Sequence, residues 1–348
     1  MPLFELTYAP TAFRLLNGVF CVIKEPGISM QVLKERVAAS LARDLNQFEQ
    51  RPLRERIDIE GDPLDGSELR VVRRPSYADH PLVVGPRYQE QDMRLRHANW
   101  LDDLSSGLVV VGTGPTGRAL AKVLRDSNFI KSYEVRCKFG RATHNFFESG
   151  RTTEKRSYSR LTYERFRRLI SSIVSANRSA VYRAMGVDMQ SQDAYELAAS
   201  GMVRPITYQT APLLMDARCT YFDPPDFTID IQTVNEEQVY VGALVHGLGL
   251  RSKTTACISS LKCTRYGYFT LDKALLQKQW TVEQVINNMT ACRGLTTPDK
   301  IVPSSPTLHR IDVSKVTVSD MLTDGGGELH GLPPGLVQVS RCNKDGDC

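Results

Sequence analysis

Residues 97–119 read HANWLDDLSSGLVVVGTGPTGRA: an acidic pair, a run of small residues, an apolar strand signal and a glycine-rich turn. Leu108–Val111 has the bulk and length of a buried strand, and Arg118–Leu124 continues as a helix. Gly112, Gly114 and Gly117 complete a G-x-G-x-x-G pattern between them. That context admits a pyrophosphate to a helix N-terminus. Glu134 even lies 22 residues beyond Gly112, where a ribose-binding acid belongs. The flanking sequence offers no series of further β-α-β units, however. The glycines therefore read as small residues that let a helix pack closely on its strand. On spacing alone, Asp102–Asp103 reads as a solvated turn or a helix cap.

Outward from this stretch, strands and helices mix irregularly, which argues for an α+β chain. Val19–Ile23 is a short apolar run closed by Lys24, Pro26 and Gly27, a strand and a turn. Ser29 caps a helix carrying Leu33, Val37, Leu41 and Leu45 on one face. Residues 49–66 are charged and interrupted by Pro and Gly, and read as a loop; Leu69 and Val71 among arginines suggest an exposed strand. Tyr133, Val135, Cys137 and Phe139 alternate with polar residues, a half-buried strand. Helices are expected around 166–173, 194–200, 236–248 and from Thr281, where Thr281 and Gln284 have capping-box spacing. Strands are expected near 216–222, 227–231, 255–262 and 266–270. Beyond about 295 the chain turns rich in Pro, Gly and Ser and reads as a flexible tail.

Composition narrows the class. The 348 residues carry 44 Lys+Arg against 39 Asp+Glu, a formal charge of +5, which suits a polyanion partner without requiring one. No stretch approaches the roughly 18 consecutive apolar residues of a membrane span. Eight cysteines are dispersed without a C-x-x-C pair or any metal-ligand spacing, and read as buried thiols of a reducing compartment. Only Arg14 is basic before Lys24, and Glu5 is acidic, a poor organellar presequence.

The acidic pair acquires a meaning from its surroundings. His97-Ala98-Asn99-Trp100-Leu101-Asp102, followed by a small-residue turn, Gly107 and an apolar strand, resembles the central motif of TruB-type pseudouridine synthases, with the His five residues before the Asp. The likeness continues in chain order. Gly18-Val19-Phe20 through Lys24-Glu25-Pro26-Gly27 resembles the opening strand and Lys-Pro-x-Gly turn, with Glu25 inserted. Lys131-Ser132-Tyr133, then Gly140-Arg141-Ala142-Thr143 and Gly150, resemble the next strand and its continuation. Tyr195 to Gly201 resembles the Tyr-x-x-Ala-x-x-Gly helix, and Ile258 to Arg265 the late strand. His80-Pro81-Leu82-Val83, Arg204-Pro205 and Lys253-Thr254-Thr255-Ala256 are most similar to the animal mitochondrial branch.

The resemblance covers residues 17–290. It implies a catalytic domain over 17–294 with a central, mainly antiparallel sheet flanked by helices. An N-terminal extension (1–16) would precede it, and a tail (295–348) too short for a C-terminal PUA-like RNA-binding domain would follow. It implies an RNA substrate (tRNA, mitochondrial mRNA or rRNA), a mitochondrial location, no cofactor or metal, and a monomer that could meet other RNA-granule proteins. Detaching uracil and reattaching it through C5 needs a nucleophile, for which the resemblance nominates Asp102. Tyr133 matches the aromatic that receives a flipped uridine, Leu261 the apolar wall opposite, and His97 the residue that helps open the target loop. Tyr240 matches the Tyr of a Tyr-x-Arg segment, but Gly242 stands where the Arg, partner of the catalytic carboxylate, would be. Basic residues between Arg151 and Arg168 would contact phosphates. Three readings stay open: a synthase in which another cation, such as Arg251 or Lys253, substitutes; a catalytically impaired RNA-binding relative; or a displaced alignment at 242.

Overall fold

A strand buried on both faces needs partners on both edges, and Ser105–Thr113 has them. The computed structural model describes residues 7–61, 68–184, 186–199, 212–236 and 239–301. In it this strand, β5, lies between β1 (Gly18–Lys24) and β11 (Ala256–Tyr266). β6 (Lys131–Phe139), β10 (Asp226–Val234) and β9 (Leu213–Asp223) complete the order β1-β5-β11-β6-β10-β9. The short strands β4 (Arg96–His97) and β12 (Phe269–Thr270) pair with β5 and β11. Among these pairings only β5–β11 is parallel, so the sheet is mainly antiparallel, as expected.

The helices follow their capping and periodicity. Ser29 accepts from Val32 N and opens α2 (Met30–Gln47), whose Leu33, Val37, Leu41 and Leu45 are buried. α1 (Ala9–Leu15), from the stretch read as an extension, packs on α2. α4 (Gly114–Asp126) covers β5 and β1, and α5 (Tyr163–Ala184) covers β9. α6 (Gln192–Ala199) follows, and α7 (Tyr240–Arg251) lies on β11. Thr281 caps α8 (Val282–Arg293), which packs on β1, and α9 (Pro298–Ile301) is a single turn with Ile301 buried. The outer edge of β1 is covered: Ile23 N donates to Leu275 O and Leu275 N to Cys21 O, both at 2.9 Å. Residues 302–348, most of the expected tail, lie outside the described residues.

One expectation fails. Within the stretch read as a loop, Glu55–Glu60 forms β2, paired with β3 (Arg70–Pro75). Its charges alternate rather than cluster: Arg56 meets Asp58 at 3.1 Å and Arg74 pairs with Glu60 across the hairpin. Ile57, Ile59 and Val71 stay exposed, so burial does not announce these strands. Asp79 ties the segment down by accepting two bonds from Arg51 at 2.9 Å, which hold its carboxyl down at about 2. Nearby lies the short α3 (Pro81–Val84). A last pair, β7 (Arg141–Thr143) and β8 (Thr152–Lys155), follows β6. The six described cysteines are free thiols, five of them buried, and no described helix is long and apolar enough to cross a membrane.

The glycine motif is packing. A Cβ on Gly112 would strike the Gly117 carbonyl, and one on Gly117 would strike the Gly18 carbonyl. Backbone of β5, α4 and β1 therefore occupies the space that a dinucleotide would need. Gly117→Ala forces main chain against main chain, and is expected to destabilise the protein by about 1–3 kcal/mol in urea unfolding.

Candidate active site

A buried ammonium must find acceptors. Lys24, the last residue of β1, has no exposed surface, and its Nζ donates to the carbonyls of Ser105 (2.7 Å), Asp103 (3.1 Å) and Glu25 (3.2 Å). Burial pulls its pKa from 10.5 to about 8, opposed by the Asp103 and Asp102 carboxylates. The acidic turn is also bonded within itself. Asp103 N donates to Asp102 Oδ1 (2.8 Å), Ser105 N to Asp102 O (3.0 Å), and Gly27 N reaches across to Asp103 O (2.7 Å). Asp102 is thus fixed beside a cation at the start of the central strand, half-buried.

The other expected residues arrive through the sheet register. Leu261 of β11 stands level with Ser105, and Ser106 Oγ donates to its carbonyl (3.3 Å). Cys263 stands level with both Gly107 and Tyr133. Leu261 is therefore one strand, and Tyr133 two strands, across from the start of β5. Tyr133 is 4% exposed, and its phenol donates to Glu236 Oε1. Burial, then Glu236, holds that phenol well above its ordinary pKa, so it stays protonated. Glu236 also takes Lys131 Nζ at 2.7 Å and the Thr233 hydroxyl at 3.2 Å. Tyr240, which opens α7, is shifted upward by burial and by the same carboxylate. Tyr133 and Tyr240 thus meet around Glu236. The sequence alone carried no signal for that hub, because its partners come from three elements.

His97 lies apart from this group, on β4. Its ring stands edge-on to Trp100, with centroids 5.3 Å apart. Burial, then Arg125, Lys34 and Arg96, lower its pKa to about 4, so the imidazole is neutral at pH 7. Gly242 is buried in α7, and a Cβ there would come 2.6 Å from the Phe146 ring. Phe146 is held at φ 65° with its carbonyl accepting from Ile258 N (2.7 Å), so it cannot easily withdraw. Arg251 closes α7, nine residues and roughly 13 Å along the axis from Gly242. Among the described residues, Lys24 is a cation that stands beside the acidic pair. No cluster among the described residues could hold a metal.

Lys24 supplies a pH test. Its folded pKa is depressed, so between about pH 8 and 10.5 the unfolded chain binds more protons and this group makes stability rise with pH. Urea unfolding from pH 7 to 10.5 is expected to show the wild type gaining stability relative to Lys24→Met through that window, and a constant difference would contradict the assignment.

The geometry can be set beside known proteins. The profile described as "TruB family pseudouridylate synthase (N terminal domain)" matches residues 88–241. The mitochondrial pseudouridylate synthase TRUB2 of Xenopus tropicalis is 36% identical over 294 residues, covering 83% of this chain and 89% of the relative. Human mitochondrial TRUB2 is 35% identical over 275 residues, covering 78% and 82%. Among solved structures, the archaeal box H/ACA sRNP Nop10–Cbf5 complex superposes with a TM-score of 0.42 at 13% identity, covering 86% of this chain and 63% of that one. On the strength of the sequence relatives, this chain belongs to the TruB family of pseudouridylate synthases.

Proposed function

We propose that the chain is an RNA pseudouridine synthase of mitochondria, acting on tRNA, mRNA or rRNA with Asp102 as its nucleophile. The observation that carries the reading is the Asp102 turn clamped on the buried Lys24, at the end of the strand that adjoins Leu261. A carboxylate held there beside a cation is fixed in orientation, as an attacking group must be. In the reaction Asp102 bonds covalently to the nucleotide and the C1′–N1 bond breaks. The freed uracil turns, C5 bonds to C1′ and Asp102 is released, while C5 loses a proton and N1 gains one. Leu261 forms an apolar wall and Tyr133 an aromatic one for the flipped base. The phenol of Tyr133, tied to Glu236, gives a proton a path away from the base. His97, as a neutral ring, wedges the target loop without carrying charge. Arginines from Arg151 to Arg168 meet phosphates. The mitochondrial names of the relatives support the location, and residues 17–294 would form the catalytic unit of a monomer, open to contact with other RNA-granule proteins.

A second reading has its own observation. With Phe146 filling the space at Gly242, that position of α7 offers no guanidinium to the site, which favours an RNA-binding relative of reduced activity. The two part on one comparison: pseudouridine formation on a tRNA stem-loop and on mitochondrial transcripts by wild type and Asp102→Asn. The synthase reading expects product from the wild type and a fall of about 10³-fold or more in the variant, with RNA binding retained. Absence of product from both, with RNA binding that weakens steeply with salt, would establish the binding relative.

A further inference from the structure

Of the chain's two tryptophans, Trp280 is 3% exposed, whereas Trp100 is 51% exposed. Its neighbours turn it outward. Asn99 is buried, with Nδ2 donating to Leu108 O and Oδ1 accepting from Val110 N, both at 2.9 Å. Leu101 is buried on the other side. Between these anchors the indole has nowhere to go but the surface, two residues before Asp102. It does not stand alone there. The His97 ring braces it edge-on at an interplanar angle of 65°, and His97 Nδ1 is buried with no partner among the described residues.

Positive charge gathers around that His97 ring. Arg96, Lys34 and Arg125 all lie close enough to His97 to disfavour its protonation, and Arg125 Nη2 donates to the His97 carbonyl at 2.7 Å. Lys122 adds a fourth cation, and Asp126 is the one carboxylate in the group. An open aromatic face beside surplus positive charge matches a single-stranded nucleic acid, whose bases stack and whose phosphates need neutralising.

We infer that Trp100 is a base-stacking platform for the nucleotide adjoining the target uridine, with the neighbouring phosphate held by the Arg96, Lys34 and Arg125 cluster. This rests on Asp102 as the reacting residue and extends the site outward by one nucleotide. Stacking fixes the strand while the target base is flipped toward Asp102, so Trp100 positions substrate and touches no reacting bond.

The test uses the indole as its own reporter. Titrating the full chain with a tRNA stem-loop that it modifies is expected to quench an emission component present in wild type and missing from Trp100→Ala. Trp100→Ala should bind that RNA about tenfold more weakly, raising KM with little change in kcat, and Trp100→Tyr should recover most of the loss. Replacing the adjoining nucleotide by an abasic residue should weaken the wild type and leave Trp100→Ala almost unaffected. Wild type and Trp100→Ala that bind and modify the RNA equally would overturn the stacking platform while leaving Asp102 in place. A wild type that binds RNA and forms no product would instead remove the synthase reading on which the inference rests.

Discussion

An ammonium group without exposed surface is tolerated only where acceptors surround it, and Lys24 finds them in the backbone of the acidic turn. That requirement works in both directions. The turn gives Lys24 its carbonyls, and Lys24 holds the turn against the end of β1, so Asp102 cannot drift from the start of β5. Satisfying the Asp103 carbonyl from both Lys24 and the Gly27 amide leaves little freedom in that loop. The central sheet inherits the same order, because β1 is paired with β5 along its whole length, from Gly18–Thr113 to Lys24–Gly107.

The sheet then distributes the remaining parts of the site. β11 pairs in parallel with β5, and it carries Leu261 to the level of Ser105. β6 brings Tyr133 up beside Cys263, and β10 ends close to Glu236, which receives the phenol. Close approach of α4 through Gly112 and Gly117 fixes β5 from above. A motif that imitates a dinucleotide fold thus serves here to seat a helix on the strand that leads out of the acidic turn.

Much of this was legible in the sequence where the signal is local. The four-residue spacing of Leu33, Val37, Leu41 and Leu45 gave α2, and the alternation from Tyr133 to Phe139 gave β6, because each pattern reports burial of one face. Position within a known motif order pointed to Asp102, Leu261 and Tyr133. What could not be read depends on contacts between distant segments. Ile57 and Ile59 sit exposed in a hairpin held by cross-strand pairing, so no buried face betrayed β2. Phe146 fills the space beside Gly242 from nearly a hundred residues away, and Lys131 and Glu236 find each other across a similar gap. The lone lysine closing an apolar strand was visible, but its role required the turn that folds against it.

The central claim is that Asp102 bonds covalently to the target nucleotide. Fluorine at C5 replaces the hydrogen that must leave, so RNA carrying 5-fluorouridine at the modified position should arrest or mark the covalent stage. The measurement is peptide mass spectrometry of the full chain after incubation with that RNA. The account predicts a nucleotide adduct, or its hydrolytic trace, on the peptide containing Asp102 and nowhere else. An adduct on another residue, or none while the same preparation converts unmodified uridine, would contradict it.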